Sequence, residues 1–227
     1  MSDARPNGPA DLDVDALLQS TRMPDLPLAR AFLAEQLCAA GVSEDVVAAF
    51  AAVPRHCFAP AARWRSAYLN LSIRAGPAWL LRPQTIARVL DAVPRGPHVR
   101  LLEVGTGSGF QTALSATLAA EVLTVDVSIQ CLAWARPRLH ALKLSNVTIA
   151  QAQVMSREFL DRTFDCVIVT SALARLPRTV PRSLSPKGGV VIAPILSTDG
   201  SQRLVRYSFR EGHVRHAVDL GACAFPE

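Results

Sequence analysis

The stretch LLEVGTGSGFQ, residues 101–111, decides the fold. Leu101, Leu102 and Val104 read as a buried parallel strand, and Gly105, Gly107 and Gly109 then let the backbone turn sharply and approach a ligand with no Cβ in the way. A G-x-G-x-G turn between strand and helix is a nucleotide-type site, but the glycines alone do not choose the nucleotide. Two acids narrow the choice. Glu103, two positions before the first glycine, puts a carboxylate at the strand end, where it can accept from an ammonium or a water at the amino-acid end of a ligand. Asp126 closes the next apolar run, residues 122–125, where a carboxylate accepts from both hydroxyls of a ribose. A dinucleotide shares the ribose acid, yet it wants the spacing G-x-G-x-x-G against a pyrophosphate and has no standing need for Glu103. The ligand that fits this turn best has no phosphates and carries a sulfonium and an amino-acid tail, which describes S-adenosylmethionine.

Outside this turn, composition bounds the answer. Half of the 227 residues are hydrophobic, enough for one sizeable core. The longest uncharged run, residues 104–120, is broken by glycines and too short to span a membrane. The opening MSDARPNGPADLD has no basic segment followed by an apolar core, so neither signal peptide nor anchor is expected and the expected location is cytoplasmic. Cys38, Cys57, Cys131, Cys166 and Cys223 are scattered and form no C-x-x-C pair, which argues for reduced thiols over disulfides or structural zinc. The net charge of +5 comes mainly from arginine, but no basic run interleaved with aromatics supports nucleic acid binding. His213 and His216 fall on a predicted hairpin and read as solvated rather than metal-ligating; Ser108 lacks a G-x-S-x-G elbow and reads as a turn residue. No metal is expected.

In chain order, Leu28, Phe32, Leu33 and Leu37 recur at helical spacing until Gly41, and Ser43 opens a second helix with Glu44 and Asp45 in its first turn. These two helices form an N-terminal cap. A loop-rich passage follows through residues 61–83, then a helix over 84–93 leads to the strand before the glycine turn. Beyond the turn, helices alternate with apolar strands at 121–126, 147–149, 164–169 and 190–195, and segments 203–209 and 213–220 flank the turn at Glu211 and Gly212 as a hairpin. The pattern predicts an α/β, doubly wound sheet with an antiparallel edge hairpin and an N-terminal helical cap.

The residues VPRHCFAP (53–60), LLEVGTGSGFQTA (101–113), Asp126, LSNVT (144–148), FDCVIVTSA (164–172) and LPRTVPRSLSPKGGVVIAPI (176–195), in this order, resemble the protein-L-isoaspartate O-methyltransferase family. The similarity runs from about residue 28 to the CAFPE end. It implies a seven-stranded S-adenosylmethionine-dependent methyltransferase fold and methyl transfer to a carboxylate of a protein, peptide or small molecule. The cofactor-binding residues it implies are Glu103, Val104, Gly105, Thr106, Gly107, Gly109, Asp126, Val127 and Gln153, with Gln153 at the position of a family acid that contacts the adenine amine. The division implied is a flexible extension over residues 1–27, the cap and an acceptor-side loop over 28–97, and the Rossmann-like S-adenosylmethionine domain over 98–227.

On the acceptor side the chain departs from the family. Its G-Q-T-I-S-x-P segment, which contacts the acceptor through hydroxyls, is here GPAWLLRP (76–83), with Trp79 at the threonine position and Leu81 at the serine position. The acceptor candidates are therefore Trp79 and Leu81 as an apolar lid, Arg82 as a bidentate partner for a carboxylate, and Ser171 after the fourth strand. The alternative is a chain that binds S-adenosylmethionine but takes a different acceptor or acts as a non-catalytic sensor or partner subunit. No residue is marked as a catalytic acid or base, and the sequence assigns no oligomeric state.

Overall fold

The computed structural model describes residues 25–152, 163–177 and 179–225. Helix α1 (Asp25–Ala39) and helix α2 (Glu44–Ala52) form the cap. Helix α1 opens inside the segment expected to be an extension, because Leu26 is buried. Its buried face is Leu26, Leu33 and Leu37; Leu28 and Phe32, read as part of that face, are instead 73% and 58% exposed. The helix has apolar residues on more than one side, so spacing alone did not select the packed one. Ser43 holds the N-cap position of α2, but its hydroxyl donates to Asp45 and Asp91 rather than capping the helix.

VPRHCFAP forms a 3-10 turn over Arg55–Phe58. Arg55 is fully buried; its Nε donates to Ala67 O at 2.6 Å and its Nη2 to Leu71 O at 3.2 Å, while its guanidinium lies 5.1 Å from the Phe110 ring centroid. Burial without a carboxylate pushes its pKa down to about 9. The passage read as loop contains a small hairpin, β1 (Ile73–Ala75) and β2 (Ala78–Leu80), in which Arg74 pairs with Trp79. Its base is tied by Asn70 and Gln84, whose amide groups bond each other at 2.6 Å and the Gln84 N–H at 3.2 Å. Helix α3 (Pro83–Asp91) follows, with proline at its first position where no N–H is needed.

The main sheet has seven strands in the order β5-β4-β3-β6-β7-β8-β9. Strands β3 (Arg100–Val104), β4 (Glu121–Asp126), β5 (Val147–Gln151), β6 (Cys166–Val169) and β7 (Gly189–Leu196) are parallel to their neighbours; β8 (Gln202–Arg210) and β9 (His213–Cys223) close the edge antiparallel. Helices α4 (Phe110–Leu118) and α5 (Ile129–Ala141) make the crossovers from β3 to β4 and from β4 to β5. Alternate strand residues feed two cores: Leu101, Val122 and Ile168 pack with the helices, and Leu102, Leu123 and Val167 pack on the opposite face with Phe164, Val180 and Leu184. This is the doubly wound arrangement expected. The strand order reverses between β3 and β6, which opens a crevice beyond their carboxyl ends.

Candidate functional site

That crevice is a cavity of ≈ 380 Å³ lined by the residues that end β3, β4 and β6 and by the β1–β2 hairpin. The strand side is made of backbone. Gly105 has φ +102°, and a Cβ placed on it would run into Thr170 Oγ1. That hydroxyl already donates to Val104 O at 3.1 Å and Gly105 O at 2.8 Å, locking the turn to the end of β6. Asp126 receives the N–H of Gly107 and of Ser128, each at 2.9 Å, and still has lone pairs facing the cavity it lines. Val104, Thr106, Gly107 and Val127 are also on the lining, whereas Gly109 turns into α4 with φ 85°.

Glu103 is placed differently from the reading above. It does not line the cavity; it is fully buried beneath it. Its carboxylate accepts from Gln111 Nε2 at 3.0 Å, from Thr124 Oγ1 at 2.8 Å and from Thr112 Oγ1. Thr124 stands opposite Glu103 in the β3–β4 register, and α4 brings Gln111 and Thr112 down on it from above. Burial pushes its pKa up to about 7 against the pull of these three donors. Gln111 therefore stands between Glu103 and the cavity, which Gln111 does line. Gln111 is 6% exposed, and its Oε1 is buried with no partner among the described residues. An unmet buried oxygen of this kind costs about 1–3 kcal/mol.

The facing wall is made of side chains. Trp79 and Leu81 both line the cavity, Trp79 41% exposed and Leu81 buried, with Pro77, Ala78 and Ile86 beside them. The hairpin turn rests on helix α5, since a Cβ on Gly76 would meet Trp134 Cε3 at 2.6 Å. Arg82 is not part of this wall. It is exposed at the N-cap of α3, next to Pro83, and is not among the residues that line the cavity. The arginine on the lining is Arg74, whose guanidinium lies 5.4 Å from the Trp79 ring centroid and whose Nε donates to Gly76 O at 3.0 Å. Ser171 lines the cavity next to Thr170. Ala152 lines it too, but Gln153 lies outside the described residues.

The reading of sequence missed the hairpin, Arg74, Gln111 and Thr170. The hairpin had a signal, a Gly-Pro pair between apolar residues at alternate positions 73, 75, 78 and 80. His213 and His216 are exposed on β9. No group of three metal-ligating side chains occurs among the described residues, and no helix among them is long and apolar enough to cross a membrane.

The residues present fit S-adenosylmethionine: a carboxylate at the β4 end for ribose hydroxyls, an unmet buried oxygen for a donor, close-approach backbone at Gly105, and apolar cover from Leu81 and Ile86. Among solved structures, a protein-L-isoaspartate O-methyltransferase superposes with a TM-score of 0.78 at 22% identity, over 87% of this chain and 65% of that one. A putative protein-L-isoaspartate O-methyltransferase from Plasmodium falciparum, in complex with S-adenosyl-L-homocysteine, gives 0.73 at 20% identity, over 87% of this chain and 96% of that one. The chain thus spans slightly less than two thirds of the first of these and nearly all of the second. These likenesses carry the fold. The sequence model described as Protein-L-isoaspartate(D-aspartate) O-methyltransferase matches residues 29–225, and the chain therefore belongs to this family of S-adenosylmethionine-dependent methyltransferases.

Proposed function

We propose that this chain transfers a methyl group from S-adenosylmethionine to a carboxylate of a protein or peptide, with an acceptor preference different from one read by hydroxyls. The observation that carries this reading is the cavity itself. The hairpin meets the glycine turn at one point, Trp79 O lying 4.0 Å from where a Cβ on Gly107 would be, and elsewhere the two line one open cavity rather than packing together. A lid packed flat on the turn would have favoured the non-catalytic alternative.

The sulfonium supplies an activated methyl, so the protein has little covalent work to do. An acceptor carboxylate is already ionised near neutral pH, and no general base is required. The residues then act by alignment and by keeping water out. Asp126 and the turn at Gly105 and Gly107 would hold the donor; Leu81 and Ile86 would exclude water; Ser171, and Arg74 on Trp79, would offer a hydroxyl and a cation to the acceptor. The products are the methyl ester and S-adenosylhomocysteine, with the new O–C bond forming as the S–C bond breaks. All five cysteines are thiols, which fits a reducing compartment such as the cytoplasm.

The test is calorimetric binding of S-adenosylmethionine followed by methyl transfer to paired isoaspartyl and aspartyl peptides and to free dicarboxylic acids. Binding with transfer to a peptide carboxylate is expected. The variant Leu81→Ser, which returns a hydroxyl to the lid, is expected to raise kcat/KM for the isoaspartyl peptide several-fold over the parent. Donor binding with no transfer to any carboxylate would overturn the enzymatic reading.

A further inference from the structure

A second cavity opens at the other end of the sheet. It measures ≈ 580 Å³ and lies where β3, β6 and β7 begin, whereas the first lies where β3 and β6 end. The five residues of β3 set the two apart by roughly 16 Å. Its volume falls within the roughly 300–1,000 Å³ typical of small-molecule sites. Part of its wall is apolar, from Pro94, Pro97 and the buried Phe209, and part carries donors, from Lys187, Arg206 and Ser208. Gly188, at φ +137°, lets the turn before β7 close on β8: a Cβ there would lie 3.3 Å from Phe209 O.

The half-buried Arg206 is held in place by the protein itself. Its Nε donates to Ala92 O at 3.0 Å and its Nη1 to Ser208 Oγ at 2.9 Å, which fixes the plane of the guanidinium. Because Ser208 Oγ accepts there, its own proton is left to donate. Neither Arg206 nor the exposed Lys187 pairs with a carboxylate among the described residues. Asp165 also lines the cavity, but its Oδ2 already takes the Arg100 N–H at 2.9 Å, and one acid against two cations leaves the lining positive. We propose that this cavity binds a small organic anion, with a carboxylate or phosphate group at Arg206, Ser208 and Lys187 and an apolar body against the prolines and Phe209. A planar guanidinium held in one orientation matches two oxygens of such a group, whereas a neutral ligand would cover both cations and give them no partner. None of these side chains belongs to the methyl-donor site, so the second cavity takes its ligand whether or not a donor is bound.

The probes are phenyl phosphate, benzoate and benzyl alcohol, which share a ring and differ in charge. Each is titrated into 15N-labelled protein at constant ionic strength and followed by amide NMR shifts. The anions are expected to bind saturably and to shift the Lys187, Gly188 and Ser208 amides while leaving Gly105 and Gly107 in place; the tighter of the two identifies the group as phosphate or carboxylate. Benzyl alcohol is expected to bind about tenfold more weakly, Arg206→Gln to weaken the preferred anion about tenfold, and Lys187→Gln about threefold. Equal binding of benzyl alcohol would show an apolar cleft only and overturn the proposal. So would shifts centred on Gly105 and Gly107, or no saturable shift with either anion. Unchanged affinity in Arg206→Gln would overturn it as well; should that variant not fold, Lys187→Gln, which alters an exposed turn residue, decides in its place.

Discussion

On one side of the cavity the shape is set by backbone: the ends of three parallel strands, a turn whose Gly105 sits at φ +102°, and carbonyls and N–H groups pinned by Thr170 and Asp126. On the other side it is set by side chains on two three-residue strands, where Ile73, Ala75, Ala78 and Leu80 anchor the hairpin while Arg74 and Trp79 stand outward. A backbone wall admits few substitutions because each added atom meets something already fixed. A hairpin whose buried residues do the anchoring can exchange its outward residues without disturbing the sheet. In the proposed function the donor side is then the rigid half of this site and the acceptor side the adjustable half.

The largest effect should come from adding one methyl group to the rigid half. Gly105→Ala would drive a Cβ into Thr170 Oγ1 and hold an L-residue in a left-handed conformation. Binding of S-adenosylhomocysteine is expected to be lost, a drop of more than 100-fold by calorimetry. In the double variant Gly105→Ala, Thr170→Ala the hydroxyl is gone but the backbone conformation is still unfavourable, so only part of the affinity should return. Full affinity in the single variant would mean that this wall is not fixed by its backbone.

Asp126→Ala comes next. It removes the proposed ribose acceptor and also leaves the N–H groups of Gly107 and Ser128 unmet. A loss of roughly 100-fold in affinity, about 2.7 kcal/mol, is expected. If 5′-methylthioadenosine, which keeps the ribose, were to bind as well as before, the ribose assignment would fail.

A third effect concerns stability beneath the rigid wall. Glu103 is held protonated up to about pH 7, against an ordinary carboxylate value of 4.5, because burial disfavours its charge. Between these values the unfolded chain has released the proton and the folded chain has kept it, so the folded state binds more protons. Stability from this group is then fully present below about pH 4.5 and is lost as pH rises through about 7, by up to about 1.4 kcal/mol per pH unit. His56, pushed down to about 4 by burial, works in the opposite sense: the unfolded chain binds the extra proton, and stability rises with pH from about 4 to 6.5. The two contributions overlap in the parent. Comparing Tm of the parent with Glu103→Gln from pH 4.5 to 7 cancels the histidine, and the variant's curve should rise relative to the parent's by about 3 °C per pH unit. Parallel curves would show that Glu103 is ionised throughout.

These predictions also mark what the sequence could and could not disclose. The strand 101–104, the glycine turn and Asp126 were legible because parallel strands buried on both faces must be continuously apolar and the turn tolerates no Cβ. Glu103 was legible as an acid at the strand end but not in its direction, which depends on Thr124 across the sheet and on how α4 returns over the strand. The hairpin was hidden because three-residue strands offer too few alternations to stand out. Arg82 is suggested by its place beside the lid residues, but the arginine on the cavity lining is Arg74, from the strand that pairs with the lid. Leu28 and Phe32 show the same limit for the cap, since an apolar residue at helical spacing does not say which face finds a partner.

The smallest expected effect on donor binding is the most informative about the adjustable half. Trp79→Ala removes a ring that is 41% exposed and carries the Arg74 guanidinium at 5.4 Å, while the anchoring residue beside it, Leu80, stays fully buried. The hairpin should persist. Affinity for S-adenosylhomocysteine is expected to stay within about threefold of the parent, while KM for the acceptor peptide rises about fivefold, close to 1 kcal/mol. Combining Trp79→Ala with Asp126→Ala then asks whether the two halves are independent: if they are, the losses in donor affinity add to within about 0.5 kcal/mol. A large coupling would mean that the hairpin shapes the donor site as well, and the acceptor side could then not be altered without cost to the methyl donor.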